Sequence, residues 1–566
     1  MNQHGGYRHP FLVGTHFFGG VGGSSGHSSL ILLAKSEAMT DNPRTITELA
    51  MNQLSYQLRS RPDWWKHHRD QSVRAKWAAE ASARNYDVRT PSANATIELS
   101  QKQVEYILDE LVGYASLRDE PNSCQVSCFE RIWESKSLFD PLLISSFNDE
   151  ISHFRAPARK RQGTNCIRAI VDPSLHPLVY NKTWVSLTEG KSRPSSQTCP
   201  PPQATDIYTL SQKFCFLPTD IHISSTGHVE FLSYINNIHP RHDKLYDILS
   251  TILTHFLPLF EHCLTDLHRN NPLHQRIQGS CRYTVWDEPD QPEFSDDDEG
   301  WSNYEREVLD WALNRPINLP DVPATGYPGG IEYRRHVVDL KSKKLQVVVR
   351  VSEINLKPGD QTYFSSPYHV EGMKNERIVV CGRFYSCVEN IKCCEIQFRM
   401  AVTYPRGFSA GDSGATLRTW GLRDGDSSHQ YIGSVPIRTG LSIVFPNIYQ
   451  HRHTPLQLLD PTKDGRMTVV SFLLIDPDIP PIISTSNVAP QQKEWIREAL
   501  DESLDERIPV EIVEKIMEEV EGVMEEEESW AYSEEMLRER TEFWKRNDNY
   551  HFCIPFDIWH GPEIIR

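Results

Sequence analysis

The 12 cysteines of this 566-residue chain contain no C-x-x-C pair. The nearest groupings are Cys124/Cys128 and Cys381/Cys387/Cys393/Cys394. None has the spacing of a structural zinc site, and a disulfide framework is not expected in a chain this long. No run of about 18 apolar residues occurs, so no membrane span is expected. Positive charge is also short. With 59 Lys+Arg against 76 Asp+Glu, the net charge of -17 argues against a general nucleic-acid-binding role. A secretory leader is not expected either. Ser29-Leu30-Ile31-Leu32-Leu33-Ala34 is too short for a signal core and lacks a basic region just before it. Reduced thiols in a cytosolic setting, or a nuclear one, are therefore expected.

What is present fits a globular chain with room for two or three domains and a sizeable core: 39% hydrophobic and 24% charged residues. Residues 1–44 read as a disordered leader, with Met39 as an alternative start. Residues 45–165 read as a helical region. Thr45-x-x-Glu48 and Ser100-x-x-Gln103 are capping-box patterns, each followed by an apolar stripe at helical spacing. Residues 166–330 read as a mixed region packing on the core. It holds a Pro/Ser-rich loop at 190–205 and an apolar helix at about 243–264 that Pro258 should kink or end. Residues 287–300, ending in Asp296-Asp297-Asp298-Glu299, look like an acidic surface loop.

From about 331 to 490 the texture is β, with apolar strands at 345–351, 377–385, 395–402, 441–445 and 467–475. Their number and spacing predict a sandwich or jelly roll. The glycine-rich stretch 404–430 between them reads as a loop and a candidate lid. Residues 491–566 return to helix, with an acidic block at Glu525–Glu528. A helix packing on the β domain is the main reading there, and a partner-binding helix the alternative.

His369-Val370-Glu371, then His451 and Arg466 far downstream, form the pattern that names a chemistry. Two imidazoles and one carboxylate are the ligand set of a non-haem Fe(II) site with open positions. A spacing of two puts His369 and Glu371 on one face of a strand. The third ligand must then come from another strand. His451 follows the apolar segment 440–447, and His453 competes with it from the same face. Arg466 begins the next apolar strand, with Thr468 beside it on the same face.

Two decoys carry the same letters. His228-Val229-Glu230 repeats H-x-E, but no second histidine follows at the end of a strand pair. Gly411-Asp412-Ser413-Gly414 matches the surroundings of a trypsin-like nucleophile, yet Ala415 follows it and no matching histidine motif lies upstream. Phe384 and Tyr385 read as core packing, with a place in the pocket wall as the alternative.

His369-x-Glu371, His451-Arg452-His453-Thr454-Pro455 and Arg466-Met467-Thr468 resemble the Fe(II)- and 2-oxoglutarate-dependent oxygenases, with their H-x-D/E, a long gap, H-x-V-x-P and R-x-S/T. Glu371 for aspartate and His453 for valine are departures. At full length the chain resembles a fungal family known as domain-of-unknown-function family 4246. The carrying segments are Pro62–Trp65, Phe231–Asn237, Tyr368–Met373, Phe445–Asn447 and Ile483–Val488.

The resemblance implies an α+β protein with a double-stranded β-helix (jelly-roll) core flanked by N- and C-terminal helices. It implies a metal triad of His369, Glu371 and His451. It also implies 2-oxoglutarate held through Arg466 and Thr468, and a small-molecule substrate oxidised with dioxygen. Two alternatives stand beside it: a non-catalytic jelly-roll binding or scaffold protein, and a cupin-like metalloprotein that does not use 2-oxoglutarate.

Overall fold

A computed structural model describes residues 6–11, 40–92, 94–154, 167–187, 195–203, 208–279, 281–283, 289–294, 297–359, 367–392, 394–503 and 509–559. Runs rich in Val, Ile and Phe build long strands over the second half of the chain, as their β-branched and aromatic side chains favour. They are β1 (Lys344–Leu356), β2 (Ile378–Glu389), β3 (Glu395–Ala401), β4 (His429–Pro436), β5 (Ser442–Pro446), β6 (Gln450–His453) and β7 (Gly465–Ile475). They form two antiparallel sheets. The larger has the central order β1-β7-β2-β5, and the smaller runs β4-β3-β6. An antiparallel bridge between His369 and His451 adds the His369 segment to the edge of the smaller sheet.

Strands from outside residues 331–490 extend the larger sheet at both edges. Thr219–Ile223, Val229–Phe231 and Ile167–Val171 lie on the β1 side, and Trp133–Ser135 and Gln125–Val126 on the β5 side. The architecture is thus α+β, and the regions N-terminal to the main β segment supply strands as well as helices. The helical reading of 45–165 holds for α1 (Ile46–Arg59), α2 (Gln101–Leu117) and several shorter helices. It missed the hairpin Asn85–Arg89/Asn94–Glu98. At Ser100 both arms of the capping box form. At Thr45 only one does, because Glu48 turns its carboxylate to Arg44 and to the Arg276 amide.

One face of the larger sheet packs on α3 (Asp243–Leu267), whose stripe Leu245, Ile248, Leu249, Ile252, Leu253 and Phe256 is buried. Phe256 meets Phe472 of β7 at 5.6 Å between ring centroids. Gly382 of β2 makes this approach possible, since a Cβ there would lie 2.9 Å from Phe260 and 3.1 Å from Phe256. The helix runs through Pro258 to Leu267 rather than ending. An internal proline costs about 3 kcal/mol. Burying each large apolar side chain returns about 1.5–3 kcal/mol, so the packed stripe outweighs it. By length and composition α3 could cross a bilayer, but most of its apolar window is buried.

Two loop readings change, and one acidic block gains a place. Asp297 caps α4 (Asp298–Asn314), so Asp298 and Glu299 form its first turn, where negative charge meets the helix's positive end. The stretch 404–430 contains α5 (Ser413–Trp420), capped by Asp412 through the Ala415 amide. Gly411-Asp412-Ser413-Gly414 is therefore a helix start and not a nucleophile loop. Glu525–Glu528 form the N-cap and first turn of α6 (Glu526–Asn547), which buries Trp530, Ser533, Met536, Arg540, Phe543 and Asn547. That face meets Ser174 through Ser533, Glu376 through Arg540 and Phe11 through Phe543.

Within the segment read as a leader, residues 6–11 are packed and most of 12–44, including Met39, lies outside the described residues. Tyr7 and Phe11 are buried. His9 contacts Asp476 at 2.6 Å, and Arg8 pairs with Asp41 at 2.8 Å. The ten described cysteines are free thiols.

Candidate metal centre between the two sheets

Glu371 is fixed by its own backbone. The Asn447 amide, fully buried just after β5, accepts from the Glu371 N–H at 2.8 Å and donates to the Glu371 carbonyl at 2.8 Å and to the Ile378 carbonyl at 3.0 Å. Gly372 then turns the chain at φ +68°, where a Cβ would also strike Ile378 at 2.7 Å. Val370 points the other way, into an apolar cluster with Phe11, Met373, Phe543 and Phe552. The alternation expected of H-x-E is therefore present, with His369 and Glu371 facing one side and Val370 the other.

Among the described residues, one group of three metal-ligating side chains converges: His369, Glu371 and His451. One ligand atom from each lies within 4.8 Å of the others, and all three residues are buried. His451 Nε2 is 3.8 Å from Glu371 Oε1. His453, the competitor, turns to β2, where its Nε2 accepts from the Tyr385 hydroxyl at 2.8 Å. His369 is oriented through its other nitrogen. Nδ1 lies 2.9 Å from the Pro367 carbonyl, which fixes the N–H there and leaves the Nε2 lone pair. The Trp544 ring of α6 packs on His369 at 4.6 Å, and its indole N–H donates to the Val370 carbonyl at 3.1 Å.

The protonation states suit a metal. Burial by itself would raise the Glu371 carboxyl, but Arg350 and Arg383 overcome that and bring it down to about 2. Burial drives both His369 and His451 below the ordinary imidazole value, and for His451 the Arg383 charge adds to it. At neutral pH the three groups are thus an anion and two neutral imidazoles, the protonation states that a metal requires. Arg383 Nη2 donates to Glu371 Oε1 at 3.0 Å and meets His451 Nε2 at 2.5 Å. A cationic donor bonded to both groups shows that their lone pairs aim at one place. The residues fit a divalent metal with two nitrogen ligands and one oxygen ligand.

Arg466 and Thr468 are not in this group. On β7, Ser471 pairs with Arg350 of β1 and Arg383 of β2, the two cations bonded to Glu371. Phe472 points the opposite way, into α3. Side chains alternate along a strand, so Arg466 and Thr468 share the Phe472 face and point away from the triad. Arg466 pairs instead with Glu353 of β1 at 2.7 Å. Thr468 is buried with its hydroxyl unpaired among the described residues.

Sequence reasoning missed Arg350, Arg383, Asn447 and Trp544 as residues around the triad, and ranked the pocket-wall alternative for Tyr385 below core packing. An arginine inside an apolar strand was the available signal for the first two. His228-Val229-Glu230 lies at the outer edge of the larger sheet, at the start of Val229–Phe231, and gathers no further ligand among the described residues.

Among solved structures, the chain is similar to the Fe(II)/(alpha)ketoglutarate-dependent dioxygenase TqaL, at 8% identity and a TM-score of 0.24, covering 75% of this chain and 94% of that one. It is also similar to a bsmA homolog from Methylobium petroleophilum PM1, at 7% identity and a TM-score of 0.25, covering 62% and 90%. A third is AviO1 from Streptomyces viridochromogenes Tue57, at 10% identity and a TM-score of 0.19, covering 65% and 97%. Likeness at these scores carries no functional argument. No curated protein matches the sequence. Two family models do: residues 25–80 match "Domain of unknown function DUF4246, N-terminal", and residues 101–499 match "Protein of unknown function (DUF4246)". The second match spans most of the chain, which therefore belongs to the DUF4246 family.

Proposed function

We propose that this chain is a non-haem Fe(II), 2-oxoglutarate-dependent oxygenase acting on a small molecule, built on a double-stranded β-helix core. The observation that carries the reading is the meeting of His369, Glu371 and His451 between the two sheets. Two histidines and one carboxylate on one side of an ion leave the rest of its coordination sphere open, as non-haem Fe(II) oxygenases require. The strand order β1-β7-β2-β5 facing β4-β3-β6 and the His369 segment supports the core assignment.

Fe(II) bound there would supply activation of dioxygen, coupled to oxidative decarboxylation of 2-oxoglutarate and oxidation of the substrate. The protein's own groups prepare the site. Arg350 donates to both Glu371 oxygens, at 3.2 and 3.1 Å, and holds the carboxylate ionised and aimed. Pro367 and Trp544 orient His369. The apolar cluster of Phe11, Val370, Met373, Phe543 and Phe552 keeps water from the back of the ligand segment.

The test is anaerobic addition of Fe(II) and then 2-oxoglutarate. Stoichiometric metal binding and a weak visible charge-transfer band are expected, with both lost in His369→Ala and in Glu371→Ala. Metal binding without the band would leave a metalloprotein that does not use 2-oxoglutarate. No metal binding would overturn both readings and leave the scaffold reading.

A further inference from the structure

The inner face of the site carries more positive charge than its single carboxylate balances. Arg350 and Arg383 both bond to Glu371, and no other described carboxylate forms an ion pair with either. A divalent metal would add to this excess. Buried charge is costly unless paired, so the site calls for an anion in addition to Glu371.

The two arginines differ in their capacity to receive it. Arg350 is committed to both Glu371 oxygens through Nη1. Arg383 is more deeply buried, with its side chain 8% exposed against 26% for Arg350. Its Nε is buried without a hydrogen-bond partner among the described residues.

Further donors stand next to Arg383. Tyr385 is two residues along β2 and so shares its face, and His453 is two residues along β6 from His451. The Tyr385 hydroxyl donates to His453 Nε2 at 2.8 Å, and Arg383 Nη1 lies 3.4 Å from the same nitrogen. A guanidinium and a phenol thus converge on one imidazole nitrogen beside the triad, and each carries a hydrogen that could turn toward a carboxylate while His453 holds the pair in place.

We infer that Arg383, assisted by Tyr385 and His453, takes the distal carboxylate of the 2-oxo acid co-substrate, in place of an arginine on β7; this rests on the oxygenase reading above. The guanidinium exchanges its contact with His451 Nε2 for the carboxylate once that lone pair is given to metal. Anion selectivity then comes from β2 and β6, and Arg466 takes no part.

The experiment compares anaerobic binding of 2-oxoglutarate and of 2-oxopentanoate, which lacks the distal carboxylate, to the Fe(II)-loaded protein. It reads the charge-transfer band and the dissociation constant. Hydrogen bonds between charged partners are worth enough to expect a preference for 2-oxoglutarate of about tenfold or more in the wild type. Arg383→Met should abolish that preference, read as the ratio of the two dissociation constants, in which any loss common to both acids from the broken Glu371 contact cancels. Tyr385→Phe and His453→Gln should each reduce it, and Arg466→Ala should leave it intact. Fe(II) binding without a band for either acid would overturn the oxygenase reading itself. A wild-type band with no preference between the acids would overturn the inference alone, as would a preference that survives in Arg383→Met. If Arg383→Met fails to fold, an unchanged preference in both Tyr385→Phe and His453→Gln does the same.

Discussion

Asn447 holds Glu371 by both its N–H and its C=O, so one amide sets where the carboxylate lies relative to the two imidazoles. Outer partners of this kind typically contribute 10–100-fold to metal affinity. Asn447→Ala should therefore weaken Fe(II) or Co(II) binding by about 10–100-fold, read by titration. It should also cost about 1–3 kcal/mol of stability through the buried backbone groups left unpaired, read by urea denaturation. Metal affinity unchanged within twofold would show that the turn at Gly372 suffices to place Glu371. The same scale shows what could be read in the sequence. H-x-E spacing gave His369 and Glu371 one face, and the strand-end His451 supplied a third ligand. Arg466 failed for a reason of parity. A strand's two faces differ by one residue, and nothing local in Gly465-Arg466-Met467-Thr468 marks which face looks inward.

Gly382 sits where α3 crosses the larger sheet. A methyl there would meet Phe256 and Phe260 at about their van der Waals limit or inside it. Gly382→Ala should destabilise by about 1–3 kcal/mol, as overpacking of a filled core does. The measurement is the urea midpoint, and a midpoint at or above wild type would mean that α3 shifts at no cost. The stripe of α3 and the apolar strands were legible because periodicity survives in the sequence. The hairpin at 85–98 was not, since its alternation is short and partly polar. The acidic runs at 297–299 and 525–528 read as loop or block because composition does not say that a run begins a helix. The caps and first turns of α4 and α6 are what give those charges their place.

Across the whole molecule, burial decides the response to acid. His176 is pushed down to about 4 by burial, partly offset by its hydrogen bond to Asn237. His429 is pushed down to about 3 by burial and by the Arg399 charge. Each takes up a proton more readily unfolded, near 6.5, than folded. Their contributions are thus fully present above pH 6.5 and lost as pH falls toward about 4 for His176 and about 3 for His429. Glu371 has the opposite chemistry and a lower window: its contribution is present above about 4.5 and lost as pH falls toward about 2. Thermal unfolding in metal-free buffer should show a midpoint that is level near pH 7–8 and declines from about pH 6.5 downward. A midpoint level down to pH 5 would contradict this. His429→Phe, which removes the proton acceptor and keeps a ring, should flatten part of the decline.

The sequence by itself determined the strands, the amphipathic helices and the order of the three candidate ligands, because these follow from local periodicity and residue chemistry. Only the tertiary structure decided which strands face each other across the site and which edge strands the earlier regions supply. It also decided that α6 brings Trp544 onto His369, and that the cations beside Glu371 are Arg350 and Arg383 rather than Arg466. Those outcomes depend on register and on contacts between residues hundreds of positions apart, and a single strand's pattern reads the same whichever of its faces is turned inward.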